Sequence, residues 1–392
     1  ISALLLRVLL RLKLPAFGNF KVFDVENVAG HESLRLRALL PGEPSIREPL
    51  FREPNELRRD IYPDLYSRRI PGAVVAANPR VSGVMYGRKF LLPHAVDAGP
   101  WKIYLPEPRV AGVSAQTGTN VLVKISGTRP TVPKALFVGT ISPHNWYHWL
   151  IDTLPTVHLA SRLPEEFSDY PVLLPQAALS KKNWLEPLAM VLGEREFVAF
   201  PDSGYLKVED LIWVDSPTMG GPVPIRPLGN TNYMVHGTGL NDFREHLLRR
   251  LGLDESEFVP YRKVFMARDQ GGNRPYNQAE LISVAENFGF EIVHFEQLSL
   301  RESALTMLET KMLIGPHGAG WATAIFLQMG MDALLWTWPE GVADNWFANI
   351  AKLRTTKLQV LLTSRAGPRS TYLSPLALDH HLANFSGRSG SL

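Results

Sequence analysis

Residues 263–340 of this 392-residue chain most constrain its fold, because short apolar runs alternate there with helical patterns. Four of the runs are predicted to be strands, since they are too short for helices and turn or cap residues flank them: 264–267, 292–295, 312–314 and 333–336. Strands separated by helices form parallel sheets, because each crossover returns the chain to the same end of the sheet. The stretch therefore predicts an α/β fold with a parallel sheet.

Start and stop signals bracket the helices between these strands. Asn277, followed three residues later by Glu280, predicts an N-cap with a capping box, and Gly289 predicts the end of that helix. Ser299 with Glu302 repeats the capping-box pattern for the next helix. Each predicted helix therefore fits between two predicted strands, as a crossover requires.

Residues at the predicted strand ends could bind an anion, because ligands of parallel sheets lie beyond the carboxyl ends of the strands. Arginines supply forked donors to a diphosphate, and small residues that open a helix let backbone N–H groups approach it. The candidates are Arg268, Arg274, Asn277, Glu296, His317, Gly318, Ala319 and Gly320. Their spacing matches neither the dinucleotide motif nor the Walker motif. In the alternative interpretation, the glycines only allow tight packing and the arginines are surface charges.

The run HNWYHWLIDTLP contains a second group of chemically active residues. On the helix predicted from Asn145 to about residue 161, His148 and Asp152 are four apart and share a face. A histidine oriented by a carboxylate is a standard general base, so His148 is the candidate base, with Asp152 as its orienting group or as the base itself. The alternative is a buried structural pair. A metal site at His144 and His148 is disfavoured, because Asn145 replaces the glutamate of the metalloprotease pattern.

Both motifs resemble glycosyltransferase family 61, in R-x5-R-x2-N, F-E-x-L-S-L and G-x-H-G-A-G within residues 265–339 and in HNWYHWLIDTLP. The resemblance implies a GT-B architecture of two facing Rossmann-like domains. It also implies inverting, metal-independent transfer of a sugar from a nucleotide sugar, usually a UDP-sugar, to a glycan hydroxyl in capsular or cell-surface polysaccharide synthesis. The chain departs from the family at Glu302, where glutamine is frequent, and at Leu335 and Trp336, where the family has an acidic residue.

The resemblance suggests roles for the candidate residues. Arg268 and Arg274 would bind the diphosphate or nucleotide, and Asn277 and Glu296 the ribose or base. The loop from His317 to residue 320 would bind the phosphates, and a protonated His317 or the backbone N–H groups would stabilise the charge of the leaving group. The base on the first domain would remove the proton of the acceptor hydroxyl.

Composition excludes several other classes of protein. Apolar residues make up 45% and charged residues 20% of the chain, which is typical of a globular protein. The net charge of +3 comes from 41 basic and 38 acidic residues, a balance that argues against a nucleic-acid partner. The absence of cysteine excludes disulfides, thiolate metal sites and cysteine nucleophiles, and favours a cytoplasmic protein.

The amino-terminal run ISALLLRVLLRLKLP predicts an amphipathic helix. Arg7 and Arg11 interrupt the apolar run, which is too short and too charged for a membrane span and lacks the cleavage site of a signal peptide. The helix would either lie peripherally on the inner membrane, near a lipid-linked glycan acceptor, or pack on the body of the protein.

The chain is predicted to contain four segments: an N-terminal extension (1–70), an acceptor-side α/β domain (71–225), a nucleotide-sugar-binding Rossmann-like domain (226–345) and a C-terminal segment (346–392). Residues 216–237, rich in proline and glycine, are predicted to link the domains. A helix over residues 241–250, with Asn241 as its cap, would begin the second half. In GT-B proteins the C-terminal segment often crosses back to the first domain.

Two other functions compete with glycosyl transfer. A catalytically inactive protein that binds a glycan or nucleotide would fit the departures from the family and the nine tryptophans. An NAD-dependent oxidoreductase would use the same kind of sheet, but the chain lacks G-x-G-x-x-G and the acidic ribose ligand that follows it.

Overall fold

The structure is a computed structural model that describes residues 17–24, 35–44, 61–77, 82–92, 113–117, 120–124, 129–139, 142, 144–219, 233–269, 274–339, 346–354, 357–367 and 370–388. The predicted amino-terminal helix lies outside these residues. Of the helices in the described part of the chain, none has the length and apolar character needed to cross a bilayer. The chain divides between Leu247 and Leu248 into two compact units.

The first unit is built on a mixed sheet of eleven strands, ordered β12-β11-β10-β13-β5-β6-β7-β1-β9-β8, with β2 also paired to β5. Pairing is parallel from β12 to β13 and mainly antiparallel beyond it. Two small separate sheets of this unit pair β3 with β4 and β14 with β15. The strands of the unit are β1 (Phe17–Asp24), β2 (Arg35–Leu40), β3 (Glu43–Pro44), β4 (Ile61–Tyr62), β5 (Leu65–Ala77), β6 (Gly83–Tyr86), β7 (Lys89–Leu92), β8 (Val113–Thr117), β9 (Asn120–Lys124), β10 (Thr131–Phe137), β11 (Val172–Pro175), β12 (Phe197–Phe200), β13 (Gly204–Val214), β14 (Thr218–Met219) and β15 (Met234–Val235).

The predicted boundary at residue 70 falls inside β5, which is antiparallel to β13 along most of its length. Ile70 and Val75 of β5 pack in one core with Val208 and Trp213 of β13. Strands β1 and β2 join the same sheet through β7, β9 and β5. The described part of the predicted N-terminal extension therefore belongs to the first unit.

The helix predicted from Asn145 to residue 161 changes its hydrogen-bonding pattern three times. It runs as α1 (Trp146–His148), a π-helical turn (Trp149–Thr153), α2 (Leu154–Leu159) and a 3-10 turn (Ala160–Arg162). The remaining helices of this unit are a 3-10 turn (Glu165–Phe167), α3 (Gln176–Leu179), α4 (Lys182–Leu192) and α5 (Gly237–Leu251), whose last residues belong to the second unit.

Helix α5 packs on the first unit, which is why the units separate later than the predicted boundary after residue 225. Asp242 accepts a bond from His158, and the His246 ring donates to Met190 O at 2.9 Å. The helix already begins at Gly237, so Asn241 is not its N-cap. Residues 220–232 of the predicted linker lie outside the described residues, and its ends pair as β14 and β15.

The second unit contains the predicted parallel sheet, with strand order β17-β16-β18-β19-β20. Its strands are β16 (Arg262–Met266), β17 (Glu291–Val293), β18 (Thr310–Pro316), β19 (Asp332–Thr337) and β20 (Lys357–Leu362), followed by the hairpin strands β21 (Ser364–Arg365) and β22 (Thr371–Tyr372). Its helices are α6 (Gln278–Asn287), α7 (Leu300–Leu308), α8 (Trp346–Leu353) and α9 (Pro375–Arg388), with 3-10 helices at Glu255–Glu257, Phe295–Gln297 and Ala319–Phe326. Both units are thus mixed α/β.

One of the two predicted capping boxes is present. Ser299 and Glu302 bond each other's backbone N–H at the start of α7. Asn277 makes no side-chain cap at α6, because its amide bonds the backbone of Leu373 instead. Gly289 has a φ of +76° just after α6, which confirms the predicted stop.

The C-terminal segment packs within the second unit, whereas the resemblance to GT-B proteins left open a return to the first domain. Leu378 and Leu382 of α9 join the core that contains Phe265 of β16 and Leu281 of α6. These side chains are fully buried or nearly so, and their apolar area stabilises the contact between α9 and α6.

Candidate functional site

In the first unit, His148 and Asp152 form a buried pair. His148 Nδ1 lies 2.6 Å from Asp152 Oδ2, and both side chains are more than 90% buried. The π-helical turn begins immediately after His148 and contains Asp152. Such turns are rare and occur frequently at functional sites. The predicted contact between the two side chains is therefore present.

The second oxygen of Asp152 is also fully engaged. Its Oδ1 accepts hydrogen bonds from Thr218 Oγ1 at 2.6 Å and from Tyr233 OH at 2.5 Å. Burial, with the nearby Asp152 charge, raises the pKa of Tyr233 well above its usual value, so the phenol stays protonated and donates. An ionised carboxylate only accepts, so His148 Nδ1 donates the third bond. This geometry suits Asp152 as an orienting group and argues against Asp152 as the base.

Sequence reasoning missed both Thr218 and Tyr233. They lie within the segment predicted as a linker, where no hydrophobic periodicity or motif marks a buried polar residue. Their contacts span 66 and 81 residues of sequence, so only the fold brings them to Asp152. The one available signal was a tyrosine and a threonine among glycines and prolines, which is too weak to predict a contact.

A buried ion pair anchors the segment that contains Thr218. The Arg68 Nη1 atom donates to Asp215 Oδ1, and both side chains are buried. Asp215 also accepts from Tyr66 N at 2.9 Å and donates its own backbone N–H to Tyr66 O at 3.0 Å. Three residues after Asp215, Thr218 reaches Asp152. The pair therefore fixes the end of β13 beside the His148 and Asp152 pair.

In the second unit, Arg268 holds the loops at the carboxyl end of the sheet. Its Nη1 donates to Arg274 O at 2.7 Å, and its Nη2 donates to His317 O. A Cβ atom at Gly318 would lie 2.7 Å from Arg268 Nη2, so a larger residue here would displace the guanidinium. Gln278 completes the arrangement by bonding both backbone groups of Arg268, at 2.8 and 2.9 Å. Burial lowers the pKa of Arg268, but a guanidinium remains charged.

His317 is enclosed by aromatic rings and arginines. Its ring centroid lies 4.9 Å from that of Trp338 and 4.6 Å from that of Phe347, both edge-on. Burial, together with the charges of Arg274 and Arg268, lowers the pKa of His317 to about 3. The imidazole is therefore neutral at physiological pH. This lowered pKa argues against a protonated His317 and favours a neutral imidazole that acts as a hydrogen-bonding group.

A cavity of about 370 Å³ opens at this end of the sheet. Its lining residues include two tryptophans and three arginines, and none of those in the described part of the chain is acidic: Arg268, Arg274, Pro316, His317, Trp336, Thr337, Trp338, Arg365, Gly367, Ser370 and Thr371. Three predicted residues, Arg268, Arg274 and His317, thus come together around one cavity. Trp338 and Arg365 were missed, because nothing in their local sequence indicated a site.

The other predicted residues support the loops of the cavity. Glu296 Oε1 accepts from Asp269 N at 2.9 Å, and Asn277 bonds both backbone groups of Leu373. Gly318, Ala319 and Gly320 stand at the start of the 3-10 helix Ala319–Phe326. A Cβ atom at Gly320 would lie 2.8 Å from Met266 Sδ, so this glycine serves close packing, as the alternative interpretation expected.

Within the described residues, one group of side chains has the composition of a metal site. Donor atoms of Asp269, His294 and Glu296 all lie within 4.8 Å of one another. They already interact among themselves and with Gln297: Asp269 Oδ1 is 3.0 Å from His294 Nδ1 and accepts from Gln297 Nε2 at 2.7 Å. The three side chains are partly exposed. The contacts among them are enough to explain why their donor atoms lie close together.

One family model covers candidate residues of both units. Residues 146–334 match the family model described as Glycosyltransferase 61. These residues carry the sequence of glycosyltransferase family 61. The match begins two residues before His148 and includes Arg268 and His317, and it ends before Trp336 and the hairpin of β21 and β22. No curated protein matches the chain. The match implies a glycosyltransferase with a nucleotide-sugar donor and a glycan acceptor.

Proposed function

We propose that this glycosyltransferase is an inverting enzyme of GT-B type that transfers a sugar from a UDP-sugar to a hydroxyl of a glycan or lipid-linked glycan. Capsular or cell-surface polysaccharide synthesis is the process that the family resemblance suggests. The same resemblance implies transfer without a metal cofactor. The lack of cysteine favours a cytoplasmic location, either free or at the surface of the inner membrane.

The observation that carries the proposal is the cationic cavity of the second unit. Its lining combines arginines with indole rings and contains no acidic residue among the described positions. A nucleoside diphosphate presents the complementary groups, namely an aromatic base and two phosphates. The cavity lies at the carboxyl ends of parallel strands, where sheets of this kind bind nucleotides.

The arrangement in the first unit supports His148 as the general base. Asp152 holds Nδ1, so Nε2 would take the proton from the acceptor hydroxyl. The acceptor oxygen would bond to the anomeric carbon while the bond from that carbon to the diphosphate breaks. The electron pair of the broken bond leaves with the diphosphate. Arg274 and the neutral His317 would stabilise that charge.

Nucleotide binding and sugar release test this function together. In thermal-shift and calorimetric titrations, we expect UDP-sugars to stabilise the protein, by roughly 2.7 kcal/mol at a hundred times the dissociation constant. Slow hydrolysis of the bound UDP-sugar should be detectable and should fall by about a hundredfold or more in His148→Ala. His380→Ala is the matched control, because His380 is an exposed histidine of α9.

Three results would contradict the proposal in different ways. Binding of a UDP-sugar without turnover in the presence of glycan acceptors would indicate an inactive binding protein. Binding of NAD in place of nucleotide sugars would indicate an oxidoreductase. Equal turnover in wild type and His148→Ala would remove His148 as the base.

A further inference from the structure

One wall of the cavity comes from the C-terminal hairpin. Arg365 of β21 and Thr371 of β22 line the cavity, as do Gly367 and Ser370 between these strands. All four residues lie beyond residue 334, where the family match ends. The hairpin therefore contributes to the site without belonging to the matched region.

The hairpin is fixed to the loop that contains Arg274. Thr371 N donates to Pro275 O at 3.1 Å, and Tyr276 and Thr371 form a parallel β-bridge. The Asn277 amide closes the contact from both sides: Nδ2 donates to Leu373 O at 2.9 Å, and Oδ1 accepts from Leu373 N at 3.1 Å. These contacts, at three consecutive residues of the loop, make the two segments one continuous wall.

The three arginines of the cavity differ in what they can offer an anion. Arg268 is largely buried and directs Nη1 and Nη2 to the backbone oxygens of Arg274 and His317, so its fork serves the loops. Arg274 lies with its guanidinium carbon 5.0 Å from the centre of the Trp338 ring. Arg365 is exposed and lines the cavity. Arg274 and Arg365 are the other two cations in the lining of the cavity, and His317 between the aromatic rings is neutral.

We propose that Arg365 binds the diphosphate of the donor together with Arg274, so that the C-terminal hairpin is part of the donor site. This inference rests on the proposed function, because it takes a nucleoside diphosphate as the ligand. The diphosphate of a nucleotide sugar carries one negative charge on each phosphate. One cation from the Arg274 loop and one from β21 match these two charges. Because the hairpin is bonded to the Arg274 loop, the two backbone segments that carry these arginines form one wall before the ligand arrives.

Calorimetric titration with UDP and with inorganic pyrophosphate tests the role of Arg365. In Arg365→Gln we expect the dissociation constants of both ligands to rise by roughly tenfold, because one charge-assisted contact is lost. Arg365→Lys keeps the charge but loses the fork, and should recover part of the affinity. Lys357→Gln is the control, since Lys357 is an exposed cation at the opposite end of β20, the strand before β21.

The outcomes separate this inference from the function on which it rests. Unfolding temperatures of the unliganded variants within a degree or two of wild type would show that the fold is kept. Affinities of Arg365→Gln within twofold of wild type for both ligands would overturn the inference while leaving the proposed function intact. Weaker UDP binding with unchanged pyrophosphate binding would also overturn it, because the contact would then be to another part of the nucleotide. A wild-type protein that binds neither ligand would overturn the proposed function itself.

Discussion

Asp152 decides how the base in the first unit can work, because three donors converge on its carboxylate. Asp152→Asn replaces one acceptor oxygen by an NH₂ group that faces a hydroxyl or the His148 ring. We expect turnover to fall by about a hundredfold or more, with UDP affinity unchanged. Tyr233→Phe removes one of the three bonds and should cost roughly tenfold. Steady-state kinetics with separate UDP titrations would measure both effects, and an unchanged turnover in Asp152→Asn would contradict this role.

His317 links the protonation of one side chain to the stability of the second unit. Its pKa is lowered to about 3 in the folded protein, from an ordinary value of 6.5, so below pH 6.5 the unfolded chain binds a proton that the folded chain does not. This contribution to stability is therefore complete above about pH 6.5 and is lost progressively as the pH falls towards 3. At pH 5 the loss should be about 2 kcal/mol.

Urea unfolding at pH 7 and pH 5 isolates this contribution. The difference in unfolding free energy between the two pH values should be smaller in His317→Gln than in wild type by about 2 kcal/mol, because glutamine does not titrate. The other titrating groups are common to both proteins and cancel in the comparison. The same pH dependence in both proteins would mean that His317 titrates normally in the folded state.

At the scale of elements, the end of β13 depends on the buried pair of Arg68 and Asp215. Arg68→Met leaves the Asp215 carboxylate buried without its cation, which should destabilise the first unit by about 3–5 kcal/mol. Asp215→Asn alone should cost a similar amount, and the double variant should recover most of the loss, since neither charge remains. Denaturant unfolding of the four proteins gives the coupling energy. Simple additivity of the two single effects would show that the pair does not act as a unit.

Asp215 of this pair also lies close in sequence to Thr218, which donates a hydrogen bond to Asp152. If Arg68 and Asp215 position that residue, the double variant of Arg68→Met with Asp215→Asn should keep its stability yet lose turnover, while its UDP affinity stays as in wild type. A structural role alone would leave turnover unchanged once stability is restored. The comparison therefore separates the support of the fold from the orientation of Asp152.

At the scale of the whole molecule, local signals predicted the second unit well and the first unit poorly. Strands β16 to β19 and the stop at Gly289 follow from patterns within a few residues, so they were predictable. The cap at Asn277 was not, because Leu373 competes for its amide from 96 residues away. The antiparallel pairing of β5 with β13 is equally non-local. The site residues on the loops at the carboxyl end of the parallel sheet were predicted because local motifs mark them. Tyr233 and Arg365 were missed because only the fold brings them to the other site residues.

The place of α9 provides a test at this same scale, because it decides which unit the C-terminal segment stabilises. Leu378 is fully buried in the core of the second unit, whereas Leu376, two residues earlier on the same helix, is 81% exposed. Leu378→Ala should lower the unfolding free energy of the second unit by about 2–5 kcal/mol, because it leaves a cavity between α9 and α6. Leu376→Ala should change it by less than about 0.5 kcal/mol. Denaturant unfolding with limited proteolysis would show which unit loosens. Protection lost from the first unit in Leu378→Ala would place α9 there instead, against the packing of Leu378 and Leu382 with Phe265.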